Sequence, residues 1–139
     1  MIVKSKAVKL NSHGNDDVID ITSKVAEAVE FSKIKSGQVL VFVVGSTASV
    51  TTIEYEPGLK KDIKTAGERI APSNIDYAHH ATWNDDNGKS HIRASFIGPS
   101  LVVPVVKSRL TLGTWQQIVV IDHDTRARSR EAIIQVMGE

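Results

Sequence analysis

Two spacings of apolar residues alternate along the chain, and together they predict most of its elements. Ile2, Val3, Ala7, Val8 and Leu10 interleave with Lys4, Lys6 and Lys9, the mixture expected of a strand with one wet face. Asn11 to Asp17 is a cluster of turn formers, and Val18-Ile19-Asp20-Ile21 reads as a short return strand. The spacing then predicts a helix from about Ser23 to Ile34, with Thr22 as its N-cap and Val25, Ala28, Val29 and Phe31 toward the core. Ser36-Gly37 closes that helix. Val39 to Val44 follow as a near-continuous apolar run, the pattern of a strand covered on both faces.

Gly45-Ser46-Thr47-Ala48-Ser49 breaks this run, and Val50 to Glu54 resumes an extended pattern, so the chain is expected to turn here and pair back on itself. Pro57 opens a second helix that the spacing of Leu59, Ile63, Ala66 and Ile70 carries to Ile70. Between Ala71 and Ser90 periodicity is lost, which predicts a long loop carrying Tyr77, His79, His80 and Trp83; loops of that length are commonly functional. Ser90 is expected to cap a short helix, His91 to Ile97, ended by Gly98-Pro99. Strands over Ser100 to Val106, Gln116 to Ile121 and Ala132 to Met137 complete the chain. The sum is one domain, residues 1–139, of the α+β class: a mixed sheet with about two main helices.

Composition narrows the function. There are 139 residues and no cysteine, so disulfides, thiolate metal sites and cysteine nucleophiles are excluded. Lys+Arg 17 against Asp+Glu 16 leaves a formal charge of +1, too little to draw in a phosphate backbone or an anionic membrane. The longest apolar runs are of strand length, and the N-terminus lacks the apolar region of a signal peptide. The expectation is a cytoplasmic protein with no nucleic-acid or membrane partner.

Candidate chemistry concentrates in the second half. His79, His80 and His91 lie close together in sequence, and imidazole is both a common metal ligand and the usual general base near neutral pH. Their spacing matches no zincin or zinc finger. His80 reads as an exposed loop residue; His91 gains from an early helical position, where the dipole disfavours its protonated form. Asp122 and Asp124 flank His123 at a strand end, as solvated turn residues or as partners of an imidazole. Arg126, Arg128 and Arg130 alternate with small residues, as an anion clamp or as the wet face of an edge strand. Leu112-Gly113-Thr114-Trp115-Gln116 sets a glycine beside one of only two tryptophans. By spacing alone that block is a hairpin corner with a core tryptophan.

Several segments taken together resemble a known family. They are Thr47-Ala48-Ser49 with Glu54, Tyr77-Ala78-His79, Ser90-His91-Ile92-Arg93-Ala94-Ser95, Gly98 to Val105, Leu112 to Ile118, and the terminal Gly138-Glu139. In this order they resemble the YjbQ family over nearly the whole chain. The resemblance implies a large, mainly antiparallel sheet in an α+β fold, a homotrimer with pockets where subunits meet, and thiamine-phosphate synthase activity. That reaction joins a hydroxymethylpyrimidine diphosphate to a thiazole phosphate with loss of pyrophosphate. It further implies His79, His91 and Asp122 as the catalytic or metal-binding set, holding a divalent ion such as Zn or Mg. A small phosphorylated or anionic molecule would be received by Gly113, Thr114, Trp115, Gln116, Arg126 and Arg128, with Gly113 where backbone approaches a ligand or a neighbouring subunit and Trp115 packed beside it. The family's histidine ahead of the Thr-Ala-Ser segment is replaced here by Gly45, its glutamate by Asp122. That departure supports an alternative, a non-catalytic trimeric binding or assembly protein with a small-anion or metal pocket.

Overall fold

The computed structural model describes all 139 residues. Strands β1 (Ile2–Ser12), β2 (Asp17–Asp20), β3 (Ser36–Val44), β4 (Ala48–Ile53), β5 (Ser100–Val106), β6 (Arg109–Leu110), β7 (Gln117–Asp122) and β8 (Arg128–Gly138) are joined by helices α1 (Thr22–Ser32), α2 (Pro57–Ile70), α3 (Ala78–Trp83) and α4 (Gly88–Ile97). The α+β class holds. The strands form two sheets, one in the order β1-β8-β3-β5-β6 and one in the order β2-β7-β4, and every pairing is antiparallel. The expected single mixed sheet is thus divided. β3 does not pair back on β4 as expected; β4 crosses to the small sheet and pairs with β7.

The core lies between the inner faces of the two sheets and α1. Val39, Val41 and Val43 of β3 meet Val103 and Val105 of β5, Ile134 and Val136 of β8, and Val50, Ile118 and Val120 of the small sheet, with Val25, Ala28 and Val29 of α1 closing one side. Burial of such side chains is worth about 1.5–3 kcal/mol each, and the period of two along each strand decides which ones qualify. β3 is not covered on both faces within one chain. Phe42 and Val44 face outward, as do Val102 and Val106 of β5, so the large sheet presents an exposed apolar face.

Helix boundaries follow local hydrogen bonding more than periodicity. Thr22 does not cap α1; it is the first helical residue, and its hydroxyl donates to Asp20 Oδ1 at 2.6 Å and accepts from Ile118 N at 2.9 Å, tying the helix start to β7. Phe31, expected in the core, is 80% exposed. α2 matches its predicted span because Glu56 caps it, its carboxylate accepting from the amides of Gly58 and Leu59 just ahead of Pro57. The predicted long loop contains α3, and α4 starts at Gly88 rather than His91. Ser90 is no cap. It is buried inside α4, and His80, expected as an exposed loop residue, does the capping: its Nε2 accepts the Gly88 amide at 3.0 Å while Nδ1 meets Asp76 at 2.9 Å.

No helix is long and apolar enough to cross a membrane. Ile34→Ala, at a wholly buried position, is expected to lower unfolding free energy by about 2–5 kcal/mol, and Phe31→Ser to change it by no more than about 0.5 kcal/mol. Urea denaturation of both variants checks this; a large loss with Phe31→Ser would return that ring to the core.

Candidate functional site

Three connections cross between the sheets at one end of the molecule: His13 to Asp16 between β1 and β2, Gly45-Ser46-Thr47 between β3 and β4, and His123 to Ala127 between β7 and β8; the last two border the candidate site. A pocket of about 300 Å³ opens where these two meet the start of α4. It is lined by Gly45, Ser46, Thr47, Asn87, His91, Asp124, Arg128 and Arg130, without one apolar side chain.

Its polar groups form one connected network. Asp122, fully buried, accepts from Arg130 Nε and Nη2, each at 2.8 Å. The same Nη2 reaches Thr47 Oγ1 at 2.5 Å, and Thr47 donates to Asp124 Oδ2 at 3.1 Å. Asp124 also takes Arg128 Nε at 2.9 Å, its neighbour's amide Thr125 N at 2.7 Å and Asn87 Nδ2 at 3.4 Å. Because Asn87 turns its amide nitrogen to that carboxylate, its oxygen is left to accept from His79 Nε2 at 3.2 Å, which assigns the proton of His79 to Nε2. Burial works to raise the Asp124 pKa, but the hydrogen bonds from Thr125, Asn87 and Thr47 and the charge of Arg128 outweigh it and hold the carboxyl below its ordinary value. The Asp122 hydrogen bond raises the pKa of Arg130 further.

His79 and His91 are brought together, their ring centroids 4.4 Å apart and tilted by 57°. The close approach comes from Gly88, where a Cβ would lie 2.5 Å from Tyr77 Cβ; only glycine lets α4 begin this near α3. Burial, and then the charge His79 would carry, lowers the pKa of His91 and so favours its uncharged ring.

The predicted ligand set is not assembled with them. Asp122 is turned to Arg130, with both oxygens engaged, and no group of three or more His, Asp or Glu residues is placed to hold a metal ion. Two adjacent imidazoles with no third ligand placed beside them, and with Asp124 already saturated by donors, do not fit a divalent ion. The Trp block lies elsewhere. Trp115 is 71% exposed, not core; Gly113 N donates to Gln116 Oε1 at 3.1 Å, and Gln116 Nε2 donates to Thr52 Oγ1 at 3.1 Å. A Cβ on Gly113 would meet nothing nearer than 3.7 Å, so no close approach within the chain demands glycine there. Leu112 and Gln116 line a separate depression beside β5, while Gly113, Thr114 and Trp115 line neither. Arg126 is exposed, 3.5 Å from Asp86. β8 is no edge strand, since it runs between β1 and β3, and Asp122 and Asp124 are buried rather than solvated.

A second network, missed in the sequence, lies on the opposite side of β7. His123 Nδ1 is 2.5 Å from Asp16 Oδ1, and its Nε2 is 2.8 Å from Ser49 Oγ. Arg93 Nη1 donates to Asp16 Oδ2 at 2.5 Å; Nε and Nη2 donate to Ala71 O at 3.2 and 2.7 Å, and Nη2 also lies 2.9 Å from Glu68. The order serine, imidazole, carboxylate is that of a hydrolytic triad, but Ser49 is wholly buried, and the group works as a lock between the 14–16 turn, β4, β7 and α4. The signal available was slight: an aspartate in a turn cluster and an arginine inside a short helix.

A model of the family described as "UPF0047 protein YjbQ-like" matches residues 6–139. The chain belongs to the YjbQ-like family. A UPF0047 protein of Methanothermobacter thermautotrophicus is 35% identical over 139 residues, covering 100% of this chain and 95% of that protein. YjbQ of Escherichia coli O157:H7 is 32% identical over 114 residues, covering 81% and 82%. Among solved structures, one from Sulfolobus solfataricus described as a "YbjQ-like protein of unknown function" superposes with a TM-score of 0.88 at 32% identity, covering 99% of this chain and 100% of that one. A hypothetical protein from Aeropyrum pernix gives 0.90 at 31% identity, covering 98% and 99%.

Removing Asp16 takes the carboxylate from the buried Arg93 Nη1 and the partner from His123 Nδ1, so Asp16→Ala is expected to cost about 3–5 kcal/mol. Asp16 is held below its ordinary value because the His123 and Arg93 contacts outweigh burial, and Glu68 is lowered from 4.5 to about 2, chiefly by Ser73 and Arg93. A carboxylate with a depressed folded pKa stabilises fully above its unfolded value and loses that contribution as pH falls through the folded one. Wild-type stability is therefore expected to decline from about pH 4.5 toward pH 2, and Glu68→Gln to flatten part of that decline; urea titrations at stepped pH measure both.

Proposed function

We propose that the pocket at the sheet crossings is the active site of a small-molecule transferase of the thiamine-phosphate synthase type. The observation that carries the reading is the ring of His91 set 4.4 Å from that of His79, in a wholly polar pocket that also holds Arg128 and Arg130. In this reaction the bond between the pyrimidine methylene carbon and its diphosphate oxygen breaks. Pyrophosphate leaves with the electron pair, and the thiazole nitrogen forms the new bond to carbon. Negative charge grows on the departing oxygen, so catalysis consists largely of fixed donors aimed there. Arg128 and Arg130 supply guanidinium donors suited to phosphate oxygens, and His91 supplies an imidazole N–H without adding a charge of its own. No metal enters this proposal.

The exposed apolar face of the large sheet supports a second part of the reading, assembly with copies of the same chain as a homotrimer. Val102 and Val106 are 53% and 51% exposed on the same outward face of β5, and an exposed apolar face of this kind is usually covered by a partner. If the transferase part fails, this assembly with its polar pocket remains as a binding protein.

Incubating the protein with hydroxymethylpyrimidine diphosphate and hydroxyethylthiazole phosphate is expected to yield thiamine phosphate and pyrophosphate, with kcat lowered at least about 100-fold by His91→Ala. Product no higher than in the protein-free control would refute the transferase. Light scattering is expected to give three times the chain mass, and a lower mass with Val102→Lys.

A further inference from the structure

We propose that Gly45 and Arg130 form a dedicated seat for the phosphate group of a small phosphate monoester. The inference rests on the pocket being a binding site and deepens that reading, without depending on transfer chemistry. Gly45 has φ +124°, a conformation that side chains of L-residues rarely adopt. A Cβ built there would lie 2.7 Å from Arg130 Nη1, and the only other atom within 4 Å would be Arg130 Cζ at 3.8 Å. The glycine therefore borders one guanidinium nitrogen and otherwise open space. Any side chain at 45 would push the guanidinium aside or fill the gap in front of it.

Arg130 cannot swing freely to meet a side chain there. It is only 9% exposed, and Nε and Nη2 are clamped by Asp122 and Thr47 through bonds of 2.5 to 2.8 Å. Nη1 makes no hydrogen bond within the chain and lines the pocket with both N–H groups unused. A planar fork held on one side and open on the other is preorganised for oxyanions. Arg128 likewise uses only Nε, on Asp124, which leaves its two terminal nitrogens free.

The balance of donors and acceptors identifies the ligand class. Both buried carboxylates are already answered, Asp122 by Arg130 and Asp124 by Arg128, Thr47, Asn87 and the Thr125 amide. The backbone amides of Gly45, Ser46 and Thr47 donate to no group in the chain. The carboxylate acceptors are spent, and guanidinium and amide donors are spare. A metal ion or an amine would find no free carboxylate, whereas an acceptor-only group with several oxygens meets donors from two side chains and a run of successive amides. A carboxylate has only two oxygens for these donors; a terminal phosphate has three. The pocket volume of about 300 Å³ lies at the small end for ligand sites, which restricts the remainder of the ester to a small group.

Calorimetric titration of the purified protein with inorganic phosphate is expected to show one site per chain. Arg128→Ala is expected to weaken it by about tenfold or more, Gly45→Ala by at least as much, and Arg109→Ala, on the far edge strand β6, not at all. Gly45→Ala can also fail by misfolding, so its thermal melt is compared with wild type, and Arg128→Ala, half-exposed, carries the test if that variant is unfolded. Absence of phosphate binding, or binding unaffected by Arg128→Ala, would overturn the seat. Phosphate binding with this variant pattern but no thiamine phosphate formation removes the transferase alone; thiamine phosphate formation with phosphate affinity untouched by the variants removes the seat alone.

Discussion

The buried ion pair between Arg130 and Asp122 is the constraint on which the rest of this site depends. Arg130 comes from β8 in the large sheet and Asp122 from the end of β7 in the small one, so the pair ties the two sheets together where the chain crosses between them. Desolvating two charges costs several kcal/mol each, and a pair of this kind returns little net stability against an apolar replacement. What it returns is geometry. The guanidinium fork matches the carboxylate along two bonds of equal length, which fixes its plane. Thr47 is then held by Nη2, Asp124 is held by Thr47, and Nη1 is left pointing at the glycine turn.

The alternation of a strand continues past the end of β7, and this explains why two polar networks lie back to back. Asp122 and Asp124 face the Arg130 side, where Asp124 lines the pocket, while His123 between them faces the other side and meets Asp16 and Ser49. Successive side chains point to opposite faces, so three consecutive buried polar residues serve two different groups without competing. Each carboxylate and the imidazole is fully partnered, which is the condition for polar burial to be tolerated.

Much of the fold was legible because periodicity reports burial directly. The span of α2 followed from Pro57 and its apolar spacing, and β5 and β7 from short apolar runs. The division into two sheets was not legible, because Val39 to Val44 reads alike whether its outer face is covered by the same chain or by another. α3 was hidden by its length of six residues, too short to show a helical repeat, and by the polar residues around it. Of the site, the pairing of His79 with His91 was anticipated through family resemblance, but Asp122 was read as a ligand when its partner was eight residues away in Arg130. The way the chain crosses from the small sheet to the large one decides that pairing, and one sequence does not reveal the crossing. Asn87, Asp16 and Arg93 left at most a slight local signal, since each acts through a contact distant in the chain.

Helix α4 connects the two networks mechanically. Arg93 on one face enters the Asp16 and His123 lock, and His91, two residues earlier, points the other way into the pocket beside His79. Two residues along a helix turn through about 200°, so a helix pinned by Arg93 has its opposite face set as well. Both ends are also held, by His80 on the Gly88 amide and by Gly98, whose carbonyl accepts from Val50 N at 3.0 Å. His91 makes no hydrogen bond of its own that would orient it. Its position is instead imposed by a lock on the far side of the helix, and the pocket keeps an unbonded imidazole available to whatever it binds.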